Sequence, residues 1–99
     1  MNANDSTDVR RLDGNVLGGP LEELFGLDLT AATITCAHCD ARTLVAAQLV
    51  YADAPALVVR CPGCTGVVMR YASDRGVIRF EMTGIRLLTI GAAPSQGPA

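Results

Sequence analysis

The chain has 99 residues, 49% of them apolar and 18% charged, with four aromatic side chains, a composition of folded globular proteins rather than disordered ones. This length makes one domain with an aliphatic core of Val, Leu, Ile and Ala, and a domain so small gains from a staple. Eight basic residues, all Arg, against ten acidic ones leave a net charge of −2, which argues against non-specific nucleic-acid binding by the whole chain but leaves a local Arg face open.

Residues 1–11 are polar and acidic at their start, resembling neither a secretory signal nor a transit peptide, and are expected to be a disordered tail. The domain is expected over residues 12–90, with a second disordered tail at 91–99. Arg42, Asp53, Arg60 and Arg70 interrupt the apolar middle, so no stretch of about 18 uncharged apolar residues exists to cross a membrane. A soluble cytoplasmic protein is the expectation.

The first patterned segment predicts one bent helical region over Asp13–Phe25. Asp13 can cap it, Gly26 can stop it, and Val16, Leu17, Leu21, Leu24 and Phe25 fall on one face. Gly18-Gly19-Pro20 lies in its middle, where Pro removes a backbone donor and bends the axis. A short strand over Ala32–Thr35 should then deliver the chain to Cys36.

Thr43–Tyr51 reads as a strand, Ala52-Asp53-Ala54-Pro55 as a turn and Ala56–Arg60 as the returning strand. Gly66–Tyr71 and Val77–Met82 should pair around a tight turn at Ser73-Asp74-Arg75-Gly76. In the second of these, Ile78, Phe80 and Met82 alternate with Val77, Arg79 and Glu81, the pattern of a sheet with one wet face. Ile85–Ile90 is expected as the last strand. These elements make an α+β fold, mostly β, of antiparallel hairpins with one N-terminal helix.

Two motifs organise the whole. Cys36-Ala37-His38-Cys39 and Cys61-Pro62-Gly63-Cys64 are each C-x-x-C, and the chain has no other cysteines. Thiols at this spacing suit a tetrahedral metal site: each short turn aims two thiolates at one point, and the hairpin between the pairs is expected to bring them together. In a reducing compartment they read as ligands rather than disulfides. Cys36, Cys39, Cys61 and Cys64 are therefore the expected metal ligands, holding one Zn²⁺ per chain, with Fe as the alternative.

Pro62, Gly63 and Gly66 suit the second turn, Gly63 and Gly66 by permitting positive φ, whereas the first turn lacks both residue types. Four sulfurs already complete a tetrahedron. His38 is accordingly expected outside the ligand set, in solvent or packed behind it, and no open position remains for catalysis. No nucleophile elbow, phosphate-cradling Gly-rich loop or His-containing triad is present, so no enzyme is expected. Arg70, Arg79 and Arg86 on successive strands are read as a shared solvated face.

The two cysteine turns about a hairpin resemble the zinc-ribbon group over Ile34–Tyr71. The fuller arrangement resembles a family of short actinobacterial proteins, a domain of unknown function, over Leu12–Ile90. Leu12-Asp13-Gly14-Asn15, Phe25-Gly26-Leu27-Asp28 and Tyr51-Ala52-Asp53-Ala54-Pro55 carry that likeness. It implies a small zinc ribbon and a cytoplasmic bacterial setting but supplies no activity.

Three functions are weighed. First is a non-enzymatic module that binds a protein partner through its helix or a sheet edge. Second is nucleic-acid binding through Arg60, Arg70, Arg79 and Arg86. Third is rubredoxin-like electron transfer by an Fe(Cys)₄ centre. No small-molecule substrate is evident, and exposed strand edges leave a dimer open.

Overall fold

Alternation of apolar residues decides the larger of two sheets. Strands β1 (Arg10–Asp13), β4 (Leu49–Asp53), β5 (Ala56–Arg60), β6 (Val67–Asp74) and β7 (Val77–Glu81) are hydrogen-bonded in the order β1-β4-β5-β6-β7, all antiparallel. The register sets Leu12, Val50, Val59 and Met69 side by side, and Ala52, Leu57, Tyr71 and Phe80 one rung further. Because side chains alternate with period two, these rungs share the inward face and Tyr51, Val58, Arg70 and Glu81 share the outward one. Strands β2 (Thr33–Cys36), β3 (Arg42–Leu44) and β8 (Ile85–Thr89) form a second antiparallel sheet in the order β3-β2-β8. The computed structural model describes residues 10–53 and 55–91.

The core lies between the sheets and under the helix. Leu17, Leu21, Leu29, Ile34, Val45, Val50, Val59, Val68 and Met69 are buried in one cluster with Cys36 and Cys61. It is aliphatic, as the composition requires, and each such side chain contributes about 1.5–3 kcal/mol on burial. The protein is mostly β with one N-terminal helix, in agreement with the sequence reading.

The predicted bent helix resolves into two pieces. A 3₁₀ turn spans Gly14–Leu17 and helix α1 spans Gly18–Phe25. Asp13 Oδ1 accepts the Asn15 N–H at 3.0 Å, and Gly26, at φ 73°, donates its N–H to Glu22 O at 2.7 Å. Pro20 is the third residue of α1, where a backbone N–H has no partner within the helix, so it interrupts nothing. The single apolar face does not survive this division. Val16 and Phe25 are 38% and 43% exposed, because a 3₁₀ turn advances faster per residue than an α-helix and throws the two pieces out of phase.

The expected strand Thr43–Tyr51 is also divided. Val45 N–H bonds to Ala32 O at 2.8 Å and Ala46 N–H to Thr30 O at 3.0 Å, so this backbone is tied to the loop after α1 and forms a second 3₁₀ turn, Val45–Ala47. The chain thereby leaves the small sheet at β3 and enters the large one at β4. The hairpin β4–β5 closes from Asp53 to Ala56; of its turn, Ala54 lies outside the described residues.

Three further differences concern ends and edges. Arg10 and Arg11, assigned by sequence to a tail, pair with Ala52 and Tyr51, while the expected tails over residues 1–9 and 92–99 lie outside the described residues. Strand β7 is an edge, so its expected dry face is half wet, with Ile78 38% exposed. Arg86 stands in the small sheet and does not share a face with Arg70 and Arg79. No described helix is long and apolar enough to cross a membrane.

Candidate metal centre

Each cysteine pair is the turn of its own hairpin: Cys36–Ala41 joins β2 to β3, and Cys61–Gly66 joins β5 to β6. The sequence places both pairs at the ends of one intervening hairpin, whereas the structure brings two hairpin tips together from two sheets. A register shift precedes each first cysteine, between Thr35 and Cys36 in one sheet and between Val59 and Arg60 in the other. Such bulges turn the strand and re-aim the next side chain. Cys36 and Cys61 consequently point into the gap between the sheets and are fully buried, while Cys64 is half-buried and Cys39 exposed.

The two turns share one backbone pattern. Cys36 N–H bonds Ala41 O and Cys61 N–H bonds Gly66 O, both at 2.9 Å; Asp40 N–H bonds Cys36 O at 2.9 Å and Thr65 N–H bonds Cys61 O at 2.8 Å. Asp40 and Thr65 sit at φ 66° and 63°. Positive φ therefore falls on the residue after each second cysteine, and not on Gly63 or Gly66 as expected. The first turn, without Pro or Gly, is as regular as the second.

All four Sγ atoms lie within 4.8 Å of one another, with Cys36–Cys64 and Cys39–Cys61 each 3.8 Å apart. A tetrahedron with metal–sulfur bonds of about 2.3 Å has edges of about 3.8 Å. The thiols are free, and the four expected ligands are brought together. Backbone N–H groups stabilise the sulfurs: His38 N–H to Cys36 Sγ and Gly63 N–H to Cys61 Sγ at 3.3 Å, and Gly66 N–H to Cys64 Sγ at 3.4 Å. At Cys36 this bond favours the thiolate, the form that binds a cation.

The thiols do not ionise alike. Burial works to raise the Cys36 thiol, but the N–H groups of His38 and Cys39 and the thiols of Cys64 and Cys39 bring it down to about 7. At Cys39 the Ala41 N–H favours the thiolate, yet burial and the crowding of Cys64, Cys61 and Cys36 push it up to about 12. Four sulfurs at these distances cannot all carry charge unopposed; a divalent cation among them removes the conflict.

The surroundings hold features that sequence reasoning missed. His38 Nε2 donates to Val67 O at 2.9 Å and its ring lies against Gly66, where a Cβ would come within 2.6 Å of the ring. His38 thus reaches from the first turn across to the second, beside the cluster of four thiols. Arg86 pairs with Asp40, and Arg60 donates to Thr65 O at 2.9 Å, so each left-handed residue has its own Arg. Gly84 O accepts the Ala37 N–H at 2.9 Å while Gly84 N–H bonds Val68 O at 3.1 Å, which ties the first turn to β6. A Cβ on Gly84 would lie 2.0 Å from Val67 O. The only sequence signals for these were single letters, Asp40 after Cys39 and Gly84 between strands, whose partners lie far along the chain.

A mostly β protein with a partly buried cluster of four cysteines suited to a metal ion is the class these features define. The chain matches the "Family of unknown function (DUF6510)" over residues 5–93 and belongs to it. No curated protein and no solved structure matches it.

Proposed function

We propose that the chain is a small zinc-ribbon-like module in which one Zn²⁺ on Cys36, Cys39, Cys61 and Cys64 clamps the two hairpin tips together, and that it acts in the cytoplasm by contact with a protein partner rather than by catalysis. The carrying observation is the sulfur geometry, four Sγ atoms within 4.8 Å of one another with two pairs at 3.8 Å, and the backbone N–H bonds to the sulfurs. Four thiolates complete the shell, so the ion's chemistry at this site is structural, holding Cys36 and Cys61 at the ends of two sheets. A contact role is supported by exposed apolar side chains, among them Phe25, Leu27, Val77 and Leu87.

The test is elemental analysis with a visible spectrum, on protein purified without added metal. One zinc per chain and no colour is the expected result. Iron with strong visible absorption would instead indicate electron transfer, because Fe–thiolate absorbs visible light and Zn²⁺ has no such transition.

Nucleic-acid binding is a second reading, favoured by Arg60 placed 5.8 Å over the Tyr51 ring on the outward face that also bears Arg70 and Arg79. Glu81, 3.7 Å from Arg70, weakens that face, and Arg86 lies elsewhere. A salt-dependent affinity for DNA or RNA would advance it.

A further inference from the structure

Strand β7 is one of the two edges of the five-stranded sheet and pairs on its far side with no other described strand; Val77, Ile78, Arg79 and Glu81 are exposed there and Phe80 is half-buried. We propose that this strand pairs antiparallel with β7 of a second copy of the same chain, about a twofold axis passing beside Phe80. The inference does not depend on the metal or on the module's further partners.

Backbone geometry limits the choices. Arg75 and Gly76, at φ 54° and 80°, form the two-residue turn between β6 and β7, which makes Asp74 and Val77 a hydrogen-bonded pair. Alternation from Val77 then directs the N–H and C=O of Ile78 and Phe80 away from β6, toward the free edge. Only registers that match these outward groups with one another are open to a second β7.

Charge selects among those registers. Pairing centred on Arg79 sets two arginines face to face, and pairing centred on Glu81 sets two glutamates face to face; like charges directly opposite are destabilising. Centring on Phe80 instead places Arg79 opposite Glu81 of the second copy, twice over by symmetry. It also aligns Phe80 with Phe80 and Ile78 with Met82 on the inward face. The segment Ile78-Arg79-Phe80-Glu81-Met82 is self-complementary in this register, apolar, positive, aromatic, negative, apolar. Arg79 forms no ion pair among the described residues and is free for that contact.

The neighbouring surface continues the patch. Phe80 packs edge-on against Phe25 and Tyr71, with ring centroids 5.9 and 6.2 Å apart. Phe25, against its ring, and Ile78, two residues along the strand, are 43% and 38% exposed. Pairing at β7 thus joins an apolar patch to a ladder of free backbone groups, which is what edge-strand association uses. The edge strand β8 lacks this match, since pairing centred on Leu87 sets Arg86 against Leu88.

Sedimentation velocity of the full chain over a series from roughly micromolar to millimolar tests the proposal. The wild type is expected to show a monomer–dimer equilibrium. Arg79→Glu and Glu81→Arg, both on exposed side chains, should each weaken the dimer about tenfold or more by placing like charges opposite. The double variant R79E/E81R should return to within about threefold of wild type, because the swapped charges again oppose each other across the axis. Circular dichroism confirms that each variant is folded. A wild type monomeric throughout, a dimer indifferent to the single reversals, or a double variant that fails to recover would each overturn the assignment.

Discussion

Thr65 carries the most backbone strain near the cysteine turns. It holds φ 63°, a conformation that Asn, Asp and Gly adopt readily and a β-branched residue does not. Its counterpart Asp40 at φ 66° meets the same demand with a suitable side chain. Thr65→Asn should therefore stabilise the protein by roughly 1 kcal/mol, read as a higher melting temperature with unchanged metal content. Asp28 makes an opposite kind of contribution. Its Oδ1 accepts both the N–H and the hydroxyl of Thr30, at 3.0 and 2.7 Å, and these bonds hold its carboxyl below the usual 3.8. A depressed folded value means stability that is present above the unfolded value and lost as pH falls through the folded one. Asp28→Ala should lower the melting temperature at neutral pH, and the gap to wild type should close in acid below the ordinary carboxylate range.

At the scale of elements, the paired hairpin tips depend on how the sheets are joined. Gly84 links Ala37 of the first turn to Val68 of β6 through its own backbone, with no room for a side chain. Gly84→Ala should cost about 1–3 kcal/mol or more by pushing the two sheets apart, and chemical denaturation would read it directly. The bulges before Cys36 and Cys61 belong to the same scale. They let β2 and β5 keep regular pairing along most of their length and still present a cysteine to the gap.

For the molecule as a whole, the cysteine cluster joins two sheets that otherwise share one modest aliphatic core. A structural Zn²⁺ contributes about 10–16 kcal/mol of apparent binding energy in small peptides, against about 5–15 kcal/mol for a whole domain's stability. On the proposed zinc site, Cys61→Ser or treatment with a strong chelator should accordingly abolish the cooperative thermal transition seen by circular dichroism. Retention of a full, unshifted transition after metal removal would mean that the core alone holds the sheets together.

The cysteine cluster was legible in the sequence because it rests on four letters at short spacing: Cys36, Cys39, Cys61 and Cys64 meet as their turns require. The mostly β class and the strands after Cys64 were legible too, since period-two alternation and turn residues act over a few neighbours. What needed tertiary structure was every feature whose cause lies far along the chain. Arg10 and Arg11 become strand only because β4 offers them an edge. Thr43–Tyr51 breaks in two only because Ala32 and Thr30 take its N–H groups. His38, Asp40 and Thr65 acquire partners at Val67, Arg86 and Arg60 only once two sheets have met. Local spacing determines which thiols can share an ion, but hydrogen bonds between distant segments decide which sheet each strand joins, and so what surrounds the four thiols.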